Sequence, residues 1–305
     1  MKRPRASFLI EKKHYGLFNK KVKYKILANE KDYCHRFRRY PLLSQTPRPH
    51  DSSRNRAFIR QYIDQGGKVI IVSGRNYFFS HKVVSVIDRP VDVLSCNSAY
   101  ISCDGKIIRE LFLPAERMSQ ILKEINRDYD PHGYLIMSKN QNLVTYDRYK
   151  SKLKNLANRF YYMIQGAYRE PYVNSQEVFY DELSKGQVYK LMIYFGLSKK
   201  AQKIAKEVNK ELREKYPEIE ASWIGMFIEI TPRGCTKADG IKFYLDYLKR
   251  SYQDVVVVGD SGNDISMFTA FEHSFCMEHA HKSVQKYAKH CIRHFSDLEQ
   301  YVREE

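Results

Sequence analysis

Asp254-Val255-Val256-Val257-Val258-Gly259-Asp260-Ser261-Gly262-Asn263-Asp264 is the stretch on which the fold turns. Asp254–Val258 is apolar without alternation, the mark of a strand buried on both faces, as in a parallel sheet. Gly259 to Asp264 breaks it, and Ile265 to Ala270 starts a helix. Upstream, Lys237–Arg250 reads as a helix. The same grammar occurs earlier: Arg54–Gln65 reads as a helix stopped by Gly66-Gly67. Lys68–Val72 (KVIIV) then reads as a second buried strand, turned out by Ser73-Gly74-Arg75. Helix and buried strand in alternation predict an α/β protein with a doubly wound, mainly parallel three-layer core. Ser274–Met277 reads as a further strand and His281–His290 as a further helix.

The middle of the chain differs. Pro114–Asp128 and Lys199–Lys215 read as amphipathic helices, and Tyr134–Met137, Asn142–Tyr146, Val188–Phe195 and Ile219–Ile230 as strands, several of alternating polarity. One-sided strands mixed with helices predict an inserted α+β domain over 106–227, with 51–105 and 228–305 forming the core. Leu153–Gly186 is aromatic and irregular and has no assignment.

Composition narrows the classes. The chain has 305 residues, about two domains' worth, and 43% of them are hydrophobic, which excludes a wholly disordered protein. No apolar run reaches the roughly 18 residues a membrane-spanning helix needs, and the short Phe8-Leu9-Ile10 run is no signal peptide. Cys34, Cys96, Cys103, Cys235, Cys276 and Cys291 form no C-x-x-C pair, which fits free thiols in a reducing, cytoplasmic setting. Net charge is +17, but residues 1–50 alone hold 14 basic residues against Glu11, Glu30 and Asp32. The remaining 255 residues are mildly basic. Nucleic-acid binding therefore rests on that first segment, where Tyr15, Phe18, Tyr24 and Tyr33 offer stacking rings, and it ranks last.

Chemistry-bearing residues sit just beyond the strand ends, where α/β folds place ligands. The Ser73 hydroxyl and the local amides around Gly74 suit an anion. Lys237 opens a helix and offers a point charge for phosphate. Asp260 and Asp264, with Asn263 between, offer hard oxygen ligands for Mg²⁺. Each stretch alone is weak: such serines commonly cap a helix, and GDSGND alone could be an Asx turn. Their order is far more specific. His279-Ala280-His281 lacks a third ligand at zinc spacing and reads as surface histidines. Phe160-Tyr161-Tyr162 reads as core of the inserted domain, and Trp223 as core or cleft lining.

From Arg54 to the C-terminus the chain resembles the Cof-like sugar-phosphatase branch of the haloacid dehalogenase superfamily. The likeness is carried by strand-SGR at Ser73, DVLSCNSAYI at Asp92–Ile101, GCTKADGI around Lys237, GDSGNDISM around Asp260 and FCMEHA at Phe275–Ala280. It implies a Mg²⁺-dependent phosphatase acting on a small phosphorylated metabolite. Ser73 would bind phosphate, Lys237 steady phosphate and nucleophile, Asp260 ligate Mg²⁺, Asn263 orient phosphate, and Asp264 support the metal or Lys237. Glu278-His279 stands where the family has Gly-Asn. The larger departure is the opening strand-D-x-D-G-T motif, whose two aspartates attack phosphorus and move the proton. No D-x-D precedes residue 100.

At the expected distance the chain reads Asn29-Glu30-Lys31-Asp32-Tyr33-Cys34-His35-Arg36-Phe37-Arg38-Arg39-Tyr40-Pro41. Shifted one nucleotide forward, synonymous codons for this run permit M-K-K-I-I-A-T-D-F-D-G-T-L, with Arg36 and Arg38 becoming the two aspartates. The arginine run then mirrors an aspartate run out of frame. This reading predicts that sequencing the nucleotides for residues 25–50 shows an off-frame ATG followed by that codon string. Codons incompatible with it would leave a phosphate-binding protein without turnover as the better account.

Overall fold

The computed structural model describes residues 24–27, 49–148, 172–196, 198–224 and 227–302. The run 29–41 with Arg36 and Arg38, the rings of Tyr15, Phe18 and Tyr33, and Phe160-Tyr161-Tyr162 lie outside them. In chain order the first strands are β1 (Tyr24–Leu27), β2 (Lys68–Val72), β3 (Asp92–Ser95), β4 (Tyr100–Cys103) and β5 (Lys106–Glu110). Then come β6 (Gly133–Ser138), β7 (Val144–Asp147), β8 (Val173–Asn174), β9 (Val188–Tyr194), β10 (Ile219–Ile224) and β11 (Phe227–Pro232). The last are β12 (Val255–Gly259), β13 (His273–Met277) and β14 (His290–Ile292).

Eight strands form one sheet in the order β14-β13-β12-β1-β2-β3-β4-β5, parallel except for the β3-β4-β5 meander. Val69 and Val256 both lie in register with Lys25 of β1. Side chains of the valine-rich strands alternate between two apolar layers. Ile70, Val72, Val255 and Val257 pack with Tyr244, Leu245 and Phe268 on one face. Val69, Ile71, Val256 and Val258 pack with Ile59, Phe79 and Phe275 on the other. Two apolar faces, each covered by helices, give the three-layer α/β arrangement.

The second sheet runs β10-β11-β9-β6-β7-β8 and is antiparallel except for β7 with β8. Helices Ala115–Asp128 and Lys199–Lys215 cover it through Met118, Ile121, Leu122, Ala205, Val208 and Leu212. The chain passes from the larger sheet to the smaller between 110 and 133, and back between 232 and 255.

Several elements differ from the sequence expectation. Tyr24–Leu27 is a strand inside the segment that reads as irregular, because it fills the slot between β2 and β12. Ile219–Ile230 is not one strand but part of the β10–β11 pair, with Ile224 opposite Phe227. Within Leu153–Gly186, Gln176–Ser184 is a helix; Ser175 caps it by accepting from Val178 N. The helix expected over 281–290 is only Lys282–Gln285, and His290 already belongs to β14.

The two sheets are tied together by Asn76. Its Nδ2 donates to Ser138 O, Gln141 O and Asn142 O at 2.9, 3.1 and 3.2 Å, and the residue is fully buried. Tyr77 OH adds a bond to Lys139 O at 2.9 Å. Asn76→Ala should strip the donor from a buried turn and cost about 1–3 kcal/mol, read as a lower urea midpoint. A midpoint that does not move would mean water replaces the amide at no cost.

Candidate functional site

The loop after β12 is organised by one carboxylate. Asp264 is fully buried and its Oδ1 accepts from Lys237 Nζ at 2.6 Å. Its Oδ2 accepts from Asp260 N at 2.9 Å, Ser261 N at 2.8 Å and Ser261 Oγ at 2.9 Å. The turn wraps so closely that a β-carbon on Gly259 would fall 2.5 Å from Asp264 Cγ, so the strand must end in glycine. Lys237, 3% exposed, is the first residue of the helix Lys237–Tyr247. Thr236 caps that helix by accepting from Asp239 N at 3.1 Å.

The single Ser261 hydroxyl proton is shared, its Oγ lying 2.5 Å from Asn263 Oδ1 as well as 2.9 Å from Asp264 Oδ2, which leaves Asn263 Nδ2 as a donor aimed away from its own loop. It aims at Gly74. A β-carbon built on Gly74 would lie 3.1 Å from Asn97 Oδ1, 3.3 Å from Asn263 Nδ2 and 3.5 Å from Lys190 Nζ. The loops after β2 and β12 therefore meet, on either side of β1. Ser73 is buried, and its Oγ accepts from Arg75 N at 2.8 Å, so the hydroxyl caps this turn. Ser73, Gly74, Lys237, Asp260, Asn263 and Asp264 all gather at the C-terminal edge of the larger sheet.

Which of these fit a divalent cation is a matter of donors. Asp264 is committed to Lys237 and the loop amides, so its contacts position rather than coordinate. Asp260 stands one residue beyond β12 with its side chain 8% exposed, and Oδ2 lies 3.2 Å from His279 Nε2. A carboxylate oxygen at a strand end, with Lys237 engaged elsewhere, suits a hard cation.

Three residues of this site escape a reading by motif. Lys190 on β9 and Glu229 on β11, with side chains 2% and 8% exposed, pair at 2.5 Å. Lys190 Nζ also donates to Gly74 O at 3.0 Å, and Asn97 Nδ2 to Glu229 Oε2 at 3.1 Å. The smaller sheet thus brings a buried ion pair onto the Ser73-Gly74 loop. Asn97 sits in a run of left-handed backbone, with φ of 51, 56 and 90° at Cys96, Asn97 and Ser98. Hydrogen bonds from Cys96 N to Arg75 O and from Asn97 N to Ser73 O hold that strain against the Ser73–Arg75 loop.

Trp223 is 40% exposed on β10 beside Lys206, so it fills no core. Burial pushes the thiols of Cys276 and Cys235 up to about 12 and about 11, so neither is a thiolate nucleophile at neutral pH. Among the described residues no helix is long and apolar enough to cross a membrane.

A model of the haloacid dehalogenase-like hydrolase family matches residues 42–297. The chain is 24% identical over 239 residues to the 5-amino-6-(5-phospho-D-ribitylamino)uracil phosphatase YbjI of Escherichia coli K12, covering 76% of this chain and 81% of that protein. Among solved structures, a haloacid dehalogenase-like hydrolase from B. subtilis superposes with a TM-score of 0.68 at 17% identity, over 92% of this chain and 99% of that one. The subclass IIB sugar phosphatase BT4131 gives 0.66 at 17% identity, over 92% and 98%. At such identities the superpositions establish a shared fold.

The Lys190–Glu229 pair yields a stability test. Lys190→Met leaves Glu229 buried without its cation and should cost about 3–5 kcal/mol in chemical unfolding. The double variant Lys190→Met/Glu229→Leu should recover much of that loss. A double variant as damaged as the single one would show that packing, not charge, is what the pair supplies.

Proposed function

Since the chain belongs to the haloacid dehalogenase-like hydrolases, we propose that it carries the phosphate and metal side of a Mg²⁺-dependent phosphatase for small phosphomonoesters. The observation that carries this reading is the convergence of the Ser73-Gly74 loop, Asn263 and the Lys237–Asp264 pair at one sheet edge. In this reading the Ser73 hydroxyl and the Asn263 amide donate to the phosphoryl oxygens. Lys237 supplies the charge that neutralises them, held in place by Asp264. Asp260 would hold Mg²⁺, which supplies electrostatic stabilisation of the transferring phosphoryl group.

The smaller sheet acts as a cap that closes the site from bulk water and reads the leaving group. Lys190 is its contact nearest the phosphate loop, and Glu229 reaches Asn97 of the larger sheet beside that loop. Asn97 Oδ1 is buried, with no hydrogen-bond partner among the described residues, and is an acceptor for a hydroxyl. A polyol or sugar phosphate therefore suits this edge, in keeping with the names of the E. coli relative and of BT4131. The division into core and cap follows the two sheets, and a cytoplasmic site of action fits the free thiols.

Hydrolysis needs a carboxylate to attack phosphorus, forming an aspartyl-phosphate for water to cleave, and a second to protonate the leaving group. Arg36 and Arg38 stand where the family has these, and a guanidinium is neither nucleophilic nor deprotonated at neutral pH. The chain as written is thus a phosphate-ligand-binding protein on a phosphatase scaffold. It should release no p-nitrophenol from p-nitrophenyl phosphate with Mg²⁺ above background. The chain begun at the shifted methionine, with Arg36→Asp, Arg38→Asp and Arg39→Gly in frame, should hydrolyse it. Turnover by the chain as written would identify another nucleophile, with Glu30 and Asp32 the first carboxylates to replace. An inert but folded corrected chain would instead make ligand binding the whole function.

A further inference from the structure

β12 and β13 are parallel neighbours, with Gly259 in register with Cys276. The chains leaving them emerge side by side. Asp260 is the first residue beyond β12, and His279 the second beyond β13. The two side chains meet, His279 Nε2 lying 3.2 Å from Asp260 Oδ2. The same segment's other histidine is occupied elsewhere: His281 Nδ1 accepts from Ser283 N at 3.2 Å and lies 2.7 Å from Ser283 Oγ.

The spacing suits two donors of one ion. Imidazole nitrogen and carboxylate oxygen each bind a divalent metal at about 2.1 Å, and at right angles about the ion they lie about 3 Å apart. Asp260 Oδ2 and His279 Nε2 stand close to that separation, at 3.2 Å. The donor count points the same way. Asp264 spends both oxygens on Lys237, two amides and Ser261, so this loop offers a single carboxylate. Asp260 is nearly covered, with its side chain 8% exposed, whereas the His279 side chain is 39% exposed and lies over it.

We propose that His279 is a ligand of the divalent cation held by Asp260, through a neutral imidazole whose Nε2 carries the lone pair. The site then favours Mn²⁺ over Mg²⁺ more strongly than oxygen donors alone would make it. Imidazole suits transition ions, whereas Mg²⁺ keeps to oxygen and gives up water reluctantly. This inference rests on the reading of Asp260 as the metal carboxylate.

The test is Mn²⁺ binding to the full chain, read by calorimetry and by pulsed electron paramagnetic resonance of the bound ion. Bound Mn²⁺ should show coupling to ¹⁴N. His279→Ala should abolish that coupling and weaken Mn²⁺ about tenfold or more, while Mg²⁺ affinity moves less than about threefold. His279→Asn gives the same readout should the alanine variant fold poorly. If Asp260→Asn removes Mn²⁺ binding while the unaltered chain shows no nitrogen coupling, the His279 inference fails and the site stands. Mn²⁺ binding undisturbed by Asp260→Asn, or no binding by the unaltered chain, overturns the metal site itself and the inference with it.

Discussion

The contact between Lys237 and Asp264 is the constraint around which this site is built. Both side chains are almost wholly withdrawn from water, 4% and 1% exposed. Two such charges would each cost several kcal/mol to bury, and only close geometry with further hydrogen bonds offsets that. Asp264 has them: three donors from the Asp260-Ser261 turn converge on its second oxygen. Closing the turn in this way constrains its neighbours. Gly259 must lack a β-carbon, Asp260 is left at the strand end, and Ser261 fixes the Asn263 amide so that its nitrogen faces Gly74.

A second constraint couples the two sheets. Lys190 and Glu229 come from adjacent strands of the smaller sheet, yet their remaining hydrogen bonds go to Gly74 O and Asn97 Nδ2 in the larger one. The Cys96-Asn97-Ser98 run holds unfavourable backbone angles where it touches both the Ser73 loop and Glu229. Strain of this kind persists only where neighbours over-determine it, and it clusters at ligand-handling loops. The Ser73-Gly74 loop is thus held from two directions: by Leu94 O and Asn97 N on the backbone, and by Lys190 from the smaller sheet.

β2 and β12 were legible because a strand buried on both faces must be apolar throughout, a pattern that survives without knowledge of its neighbours. Ser73, Lys237, Asp260, Asn263 and Asp264 were legible with them, since they stand at fixed offsets from strand and helix ends. Asn97, Lys190 and Glu229 were not legible as a group. Lys190 and Glu229 look like the polar positions of half-wet strands, and nothing local says that both are buried against a loop more than a hundred residues away. His279 carried only a faint signal, its departure from Gly-Asn, and its meaning depends on the register of β12 with β13.

Residue order alone is enough for the α/β class, the two valine-rich strands and the polar residues of the loop after each. These depend on residue type at short range: apolar runs, glycine breaks and capping side chains. That Tyr24–Leu27 is a strand follows from its neighbours in space. Four residues carry no usable period, and what selects them is the gap between β2 and β12, whose backbone groups need partners on that side. The pairing of β10 with β11, the burial of Lys190 with Glu229 and the meeting of His279 with Asp260 belong to the same kind. Each is a pairing of distant segments, and its energy exists only once both are in place.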